Sequence, residues 1–170
     1  MKKFFTKQKA EEKRSFFLED ELLDYIMSHS APADQVQEAL IEETAELGWV
    51  ARMQISVDQG NFLTMLVKAI GPKFAVEIGT FTGFSSISIA RGLPENASLL
   101  CCDVSEKWTA IARKYWERAG LNDRIELVLA PALETLDNLP KDTEIDFAFI
   151  DADKGNYKNY YEAVLSRLSS

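Results

Sequence analysis

The chain has 170 residues, about the length of one domain, and its 46% hydrophobic residues suffice for a core without disulfides or metals. Its 27 acidic and 19 basic residues give a net charge of −8. Such a surface would repel a phosphate backbone, so we do not expect the protein to bind nucleic acid as a scaffold. The sequence has neither an apolar run of roughly 18 residues that would predict a membrane span nor the apolar core of a secretory signal.

Residues 1–14 are basic, with six Lys or Arg and two Glu, so this segment carries +4 and the rest of the chain −12. We expect a solvated arm, and the alternative is a contact with an acidic partner or a second subunit.

Residues 15–70 have the apolar spacing of amphipathic helices. The apolar stripes lie in residues 17–26, 36–51 and 62–70. A break at Ser30 to Pro32 ends the first stripe, and Gly71 and Pro72 end the third. His29, the only histidine, falls at a helix end, where we expect it to cap the helix or face solvent rather than take part in catalysis.

Residues 71–170 alternate between short apolar runs and helical stretches four times. The predicted strands are residues 74–78, 97–102, 125–129 and 145–150. The helix after the first strand is predicted to run through residue 90, and the three later helices span residues 107–119, 132–136 and 156–168. This alternation predicts an α/β fold in one domain, with a parallel sheet and helices on its faces. Cys101 and Cys102 are neighbours in a predicted strand, so they should point to opposite faces and stay unpaired, as in a reduced, cytoplasmic protein.

The last predicted strand, IDFAFI at residues 145–150, is almost entirely apolar, as a buried central strand would be. With only one helix after it, this strand would lie at an exposed edge, and apolar edges promote aggregation. We therefore expect either a longer fold than these residues supply or a partner that covers the edge.

Ligands of open parallel sheets bind beyond the carboxyl ends of the strands. The residues that follow the four predicted strands are Glu77, Gly79 and Gly83; Asp103; Pro131 and Ala132; and Asp151, Asp153 and Lys154. The sequence therefore predicts an acidic rim with one lysine at this edge of the sheet.

The glycine loop, EIGTFTG at residues 77–83, has Glu77 where the dinucleotide fingerprint has its first glycine, and residues 74–90 contain no Lys or Arg. A pyrophosphate would face a carboxylate without a nearby cation, so a cationic ligand matches better. Asp103, 20 residues after Gly83, stands where a carboxylate can accept both ribose hydroxyls. These features indicate S-adenosylmethionine, an adenosine with a sulfonium and an ammonium and no phosphates; the alternative is a structural turn with a chance glutamate.

Asp151 is a candidate ligand for Mg²⁺, although one aspartate cannot hold the ion tightly. Lys154, close to a metal and a cationic ligand, could have a lowered pKa and act as a base. The alternative is a polar strand end with solvated charges.

Residues 76–85, VEIGTFTGFS, resemble the first motif of the cation-dependent O-methyltransferases, the family of catechol and caffeoyl-CoA O-methyltransferases. Further similar segments cover roughly residues 50–165 in the family's order: residues 53–55, 59–63, 102–103, 112–116, 120–121, 131–136, 149–154, 156–157 and 160. Several motifs in order are a specific indication, and the bacterial caffeoyl-CoA-like branch is the most similar.

The resemblance implies a Rossmann-like methyltransferase fold and a set of site residues. Cofactor contacts are implied at Ile55, Glu77, Gly79, Thr80, Ser85, Asp103, Ala132, Asp151, Asp153 and Tyr160. It also implies Asp151 as a ligand of a divalent cation, Mg²⁺ above all, and Lys154 as general base. The acceptor would be a phenol with vicinal hydroxyls, and the protein a cytoplasmic homodimer.

The sequence departs from the family in one respect. In the family, the strand after the helix that follows Asp151 supplies an Asp-Asn pair that completes the metal site, whereas this sequence ends at Ser170. We therefore expect a C-terminally truncated chain with one recognised metal ligand. Two alternatives stay open: a catalytically incomplete module that binds S-adenosylmethionine or a partner, and a nicotinamide-dependent oxidoreductase, against which Glu77 argues.

Overall fold

The structure is a computed structural model that describes residues 20–169. The predicted basic arm and the start of the first helical stripe lie outside this range. The chain divides after Ser30 into two units. Among the described helices, none has both the length and the apolar character needed to cross a bilayer.

The described part of the first unit is helix α1 (Asp20–His29). His29 ends this helix, where its Nδ1 donates a hydrogen bond to the Tyr25 carbonyl oxygen at 2.8 Å. Its ring stacks on Tyr25, with ring centres 4.0 Å apart. The predicted capping role of His29 is therefore confirmed.

The second unit begins with two helices and a 3-10 helix between them. These are α2 (Gln35–Ala45), the 3-10 helix (Gly48–Met53) and α3 (Val57–Ile70). The prediction of one helical stripe over residues 36–51 is wrong, because α2 ends at Ala45 and Gly48 adopts φ +74°, outside the right-handed helical region. Helix α3 ends where predicted, at Gly71 with φ +65°.

Four parallel strands form the sheet, in the order β3-β2-β1-β4, which confirms the predicted α/β fold. The strands are β1 (Phe74–Ile78), β2 (Ser98–Asp103), β3 (Ile125–Leu129) and β4 (Phe147–Ile150). The helices that follow them are α4 (Phe84–Gly92), α5 (Glu106–Arg118), α6 (Ala132–Asn138) and α7 (Tyr157–Leu165). Two further 3-10 helices span Asn122–Arg124 and Lys154–Asn156.

Helices cover both faces of the sheet, and each face has its own core. One core joins β1 and β2 to α2, α3, α4 and α5, and includes Cys101. The other joins the opposite face to α6 and α7, and includes Cys102. Both cysteines are buried and free, which confirms that they point to opposite faces.

Strand β4 lies at the edge of the described sheet. It begins at Phe147 rather than at residue 145, because the chain bends at Asp146, whose carboxylate accepts hydrogen bonds from the backbone N–H groups of Lys73 (2.7 Å) and Phe74 (3.0 Å). Ile145 pairs with the end of the chain: its N–H donates to the Arg167 carbonyl at 2.8 Å and its carbonyl accepts from Ser169 N–H at 3.0 Å. Helix α7 consequently ends at Leu165 rather than at residue 168.

Candidate active site

A cleft of about 610 Å³ opens at the carboxyl ends of the strands, as predicted, and its volume suits a small molecule. All predicted site residues except Glu77 line it. The predicted lining residues are Ile55, Gly79, Thr80, Ser85, Asp103, Ala132, Asp151, Asp153, Lys154 and Tyr160. The segment at the end of the 3-10 helix adds Arg52, Met53 and Gln54, which were not among the predicted site residues because they do not follow a strand.

Glu77 lies in the protein interior, with 0% of its surface exposed. Its Oε2 accepts a hydrogen bond from the Cys101 thiol at 3.4 Å, and its Oε1 has no hydrogen-bond partner among the described residues. Burial raises the pKa of Glu77 to about 7, and the neighbouring polar side chains of Ser85, Cys101 and Thr80 oppose part of this rise. Thr80 Oγ1 and Gln54 Oε1 are also buried without a described partner, so three unsatisfied polar atoms lie at or near the cleft.

Asp103 organises the glycine loop. Its Oδ2 accepts hydrogen bonds from the backbone N–H groups of Thr80 and Phe81, both at 2.9 Å. Its Oδ1 accepts from the N–H of Ser105 at 2.8 Å, just before α5. The sequence predicted a ribose contact for this carboxylate but not these backbone bonds, because φ/ψ values in a loop cannot be read from residue types. Oδ2 therefore accepts two N–H groups, whereas Oδ1 accepts one and keeps a further acceptor site for a ligand hydroxyl.

The two loop glycines allow the loop to pack closely on its neighbours. A Cβ on Gly79, where φ is +94°, would lie 2.3 Å from the carbonyl oxygen of Asp151. A Cβ on Gly83, where φ is +90°, would lie 2.7 Å from the Ala112 Cβ in α5. Contacts with the residue after β4 and with α5 therefore require glycine at these two positions.

An aromatic pair forms another part of the cleft wall. The Phe81 and Trp108 rings meet edge to face with centres 5.1 Å apart, and both line the cleft. Trp108 was not among the predicted site residues, because its position on the first turn of α5 depends on where that helix begins.

Lys154 bonds to two neighbours at the end of β4. Its Nζ donates to the Tyr157 hydroxyl at 2.6 Å and to Asp151 Oδ1 at 3.3 Å. The Tyr157 hydroxyl in turn donates to Asp151 Oδ1 at 3.2 Å. Tyr157 and Asp151 raise the pKa of Lys154, opposite to the lowering expected beside a metal and a cationic ligand. Tyr157 was not among the predicted site residues, although its position three residues after Lys154 places the two on one helical turn.

Asp153 and Tyr160, both predicted cofactor contacts, are bonded to each other. The Tyr160 hydroxyl donates to Asp153 Oδ1 at 2.5 Å, and Asn156 Nδ2 donates to Asp153 Oδ2 at 2.7 Å. The Tyr160 hydrogen bond lowers the pKa of Asp153, whereas burial and Asp153 raise the pKa of Tyr160 to about 12. The pair therefore keeps an ionised carboxylate and a neutral phenol at the cleft.

The described residues do not form a metal site. No group of three His, Cys, Asp or Glu side chains within residues 20–169 could hold a metal ion. Asp151 is the one predicted ligand, and its Oδ1 already accepts two hydrogen bonds.

The family model and the curated relatives that this chain matches are all O-methyltransferases. The sequence model of the O-methyltransferase family matches residues 27–170. Caffeoyl-CoA O-methyltransferase 2 of Zea mays is 39% identical over 158 residues, covering 89% of this chain and 60% of the relative. Probable caffeoyl-CoA O-methyltransferase 2 of Dictyostelium discoideum is 35% identical over 147 residues, covering 85% of this chain and 64% of the relative. The chain thus spans less than two thirds of the length of these relatives.

Solved structures share the fold. The O-methyltransferase from Bacillus cereus in complex with SAH superposes with a TM-score of 0.79 at 37% identity, covering 86% of this chain and 67% of that one. The O-methyltransferase TomG from Streptomyces achromogenes, in complex with SAM, superposes with a TM-score of 0.79 at 26% identity, covering 86% of this chain and 66% of that one. Sequence motifs, sheet order and these similarities agree, and the chain belongs to the O-methyltransferase family.

Proposed function

We propose that the cleft binds S-adenosylmethionine and that the protein transfers its methyl group to a hydroxyl of a small phenol with vicinal hydroxyls. The observation that carries this proposal is the meeting of the Asp103-bound glycine loop with the Asp151–Lys154 rim, in a member of the O-methyltransferase family. The SAH and SAM complexes of the Bacillus cereus and Streptomyces achromogenes proteins support the choice of cofactor.

The residues that line the cleft fit this cofactor. Three carboxylates, Asp103, Asp151 and Asp153, give the cleft an acidic character that suits a sulfonium and an ammonium. A ribose hydroxyl would donate to Asp103 Oδ1, and Ser85 lies in the first turn of α4, where a carboxylate is favoured. Glu77 Oε1 and Thr80 Oγ1 lack hydrogen-bond partners among the described residues, and a polar ligand would supply them, directly or through a water molecule.

When bound, S-adenosylmethionine supplies an electrophilic methyl group on its sulfonium. The chain's residues would hold the acceptor oxygen in line with that methyl, and positioning of this kind contributes up to about 7–11 kcal/mol in the limit. Because its pKa is raised, Lys154 Nζ carries its full set of protons at neutral pH and would donate a hydrogen bond to a phenolate oxygen. To act as the predicted general base, Nζ must first lose a proton and then accept the one from the phenol hydroxyl.

A divalent cation, Mg²⁺ above all, is part of the proposal through Asp151. Such an ion keeps several waters and is coordinated by further oxygen ligands. Within residues 20–169, Asp151 is not part of a group of three side chains that could hold a metal ion.

The same observation favours a second candidate function, a module that binds S-adenosylmethionine without transferring its methyl group. The two candidates differ in one assay: incubation of the chain with methyl-labelled S-adenosylmethionine and 3,4-dihydroxybenzoate, with Mg²⁺ or with a chelator. If the phenol becomes labelled with Mg²⁺ present and stays unlabelled with the chelator, the result supports a cation-dependent methyltransferase. Cofactor binding without a labelled product, at any Mg²⁺ concentration, supports the module and contradicts the transfer.

A further inference from the structure

The glycine loop holds one residue in a backbone conformation that depends on its surroundings. Phe81 adopts φ +51°, between Gly79 at +94° and Gly83 at +90°. The left-handed region suits glycine but crowds the Cβ of a phenylalanine, and such a residue keeps this conformation where neighbouring groups fix it. The loop therefore requires contacts from outside, and the Asp103 carboxylate supplies two of them, to the N–H groups of Thr80 and Phe81.

A second set of contacts reaches the loop from helix α5. The indole Nε1 of Trp116 donates a hydrogen bond to Ser86 Oγ at 2.9 Å. The Ser86 hydroxyl in turn donates to the Gly83 carbonyl oxygen at 2.9 Å. Neither Trp116 nor Ser86 lines the cleft, so this chain of two hydrogen bonds holds the loop from outside the cleft.

The chain of hydrogen bonds is buried. Trp116 is 2% exposed and Ser86 0%, so the loss of one partner leaves the other unsatisfied away from solvent. The Trp116 ring also lies against the loop, because a Cβ on Gly83 would lie 2.9 Å from Nε1. Gly83 is therefore fixed both by the hydrogen bond to its carbonyl oxygen and by the ring that packs on it.

Gly83 joins two segments that face the cleft. Its N–H donates to the Thr80 carbonyl oxygen at 3.0 Å, and its carbonyl oxygen also accepts from the Ile87 N–H at 3.1 Å in α4. Thr80 lines the cleft before Gly83, and Ser85 lines it in the first turn of α4. A shift of Gly83 would therefore move both of these side chains.

We propose that Trp116 is a positioning residue for the cofactor. Through Ser86 it fixes Gly83, and thereby the turn that presents polar side chains to the cleft. The proposal rests on the proposed function, because it requires that the cleft binds S-adenosylmethionine and its demethylated product, S-adenosylhomocysteine. Asp103 and Trp116 then hold the same loop from two sides, one within the cleft lining and one outside it.

The test is a calorimetric titration of S-adenosylhomocysteine into the 170-residue chain and its variants. Trp116→Phe keeps an aromatic ring and removes the N–H donor, and Ser86→Ala removes the hydroxyl alone. We expect each variant to bind about five to ten times more weakly than the wild type. The double variant should bind no more weakly than the single variants, because both changes break the same chain of hydrogen bonds.

Ser88→Ala is the matched control. Ser88 lies in the same helix, is 1% exposed, and its hydroxyl donates to the Phe84 carbonyl oxygen at 2.9 Å, so this variant also loses a buried side-chain hydrogen bond. That bond stays within α4, and we expect Ser88→Ala to bind like the wild type. Ser86→Thr keeps the hydroxyl and should restore most of the affinity, a recovery that a role in packing alone does not predict.

The inference is overturned if Trp116→Phe binds like the wild type, if Ser86→Ala and Ser88→Ala bind equally, or if Ser86→Thr is as weak as Ser86→Ala. A double variant whose loss is the sum of the two single losses also overturns it. If Trp116→Phe does not fold, the comparison of Ser86→Ala with Ser88→Ala decides. In these cases the wild type still binds and the proposed function stands, whereas a folded wild-type chain that does not bind S-adenosylhomocysteine overturns the proposed function and the inference with it.

Discussion

The carboxyl group of Glu77 is buried without a cation beside it, and this makes the stability of the protein depend on pH. The pKa is about 7 in the folded state and near 4.5 when the chain is unfolded, so the folded state binds more protons between these values. Stability should therefore fall as the pH rises from about 4.5 to about 7, by up to about 3 kcal/mol, and level off above that.

Glu77→Gln cannot titrate, so this fall should be missing from its unfolding free energies. Urea denaturation from about pH 5 to about pH 8 measures the difference, with Glu95→Gln at an exposed position as the control. Parallel pH profiles for the wild type and Glu77→Gln would show that the carboxyl group titrates normally.

The sequence placed most of the individual site residues at the cleft but did not reveal their partners. Strand ends follow from the alternation of apolar runs, so Asp103, Asp151 and Lys154 could be assigned to one rim. Their hydrogen bonds depend on loop geometry and side-chain rotamers, which residue types leave open. The burial of Glu77 was missed for a similar reason: a charged residue near a strand end was expected to face the ligand, and tertiary packing covers it.

The glycine loop depends on close backbone approach at one position in particular. Gly79→Ala would force a Cβ to within 2.3 Å of the Asp151 carbonyl oxygen, whereas Gly71, also at positive φ, has no atom within 4 Å of an added Cβ. We expect Gly71→Ala to cost about 1–2 kcal/mol from backbone strain alone. Gly79→Ala adds overpacking and should cost about 3 kcal/mol or more. Equal losses of unfolding free energy for the two variants would contradict the close contact.

Helix α2 is tied to the glycine loop by a buried hydrogen bond from the Thr44 hydroxyl to the Thr82 hydroxyl at 2.9 Å. Thr44→Val keeps the shape and removes the donor, leaving Thr82 unsatisfied, which should cost about 1–3 kcal/mol. Thr44→Ser keeps the hydroxyl and should retain most of the stability. Because Thr82 lines the cleft, we also expect Thr44→Val to weaken cofactor binding several-fold relative to Thr44→Ser, measured by calorimetry. Equal affinities would limit the bond to a structural role.

The order of the elements from β1 to α7 was predictable because short apolar runs and helical stretches alternate regularly in this part of the chain. The end of α2 was not predictable, because it depends on the positive φ of Gly48, which is outside the right-handed helical region. The final strand was predicted too long because the chain bends at Asp146, whose carboxylate bonds to the N–H groups of Lys73 and Phe74, a long-range contact that a local pattern does not show.

At the scale of the whole molecule, the edge of β4 should govern association. Phe149 and Ile150 are partly exposed there, and within residues 20–169 only the Ile145 bridge covers this side. We predict self-association, consistent with the expected homodimer, and sedimentation velocity measures it. Phe149→Lys adds a charge at the edge and should shift the chain toward the monomer, whereas Lys158→Gln on α7 should not. A wild-type chain that remains monomeric at all concentrations would contradict this prediction.

The central claim is that the cleft of this chain binds S-adenosylmethionine. Isothermal titration of S-adenosylmethionine into the 170-residue chain tests it most directly, with Asp103→Ala as the variant that removes both the ribose acceptor and the Thr80 and Phe81 amide bonds. We predict saturable one-to-one binding by the wild type and no measurable binding by Asp103→Ala. A folded wild-type chain that gives no binding heat, or an Asp103→Ala variant with unchanged affinity, would contradict the account.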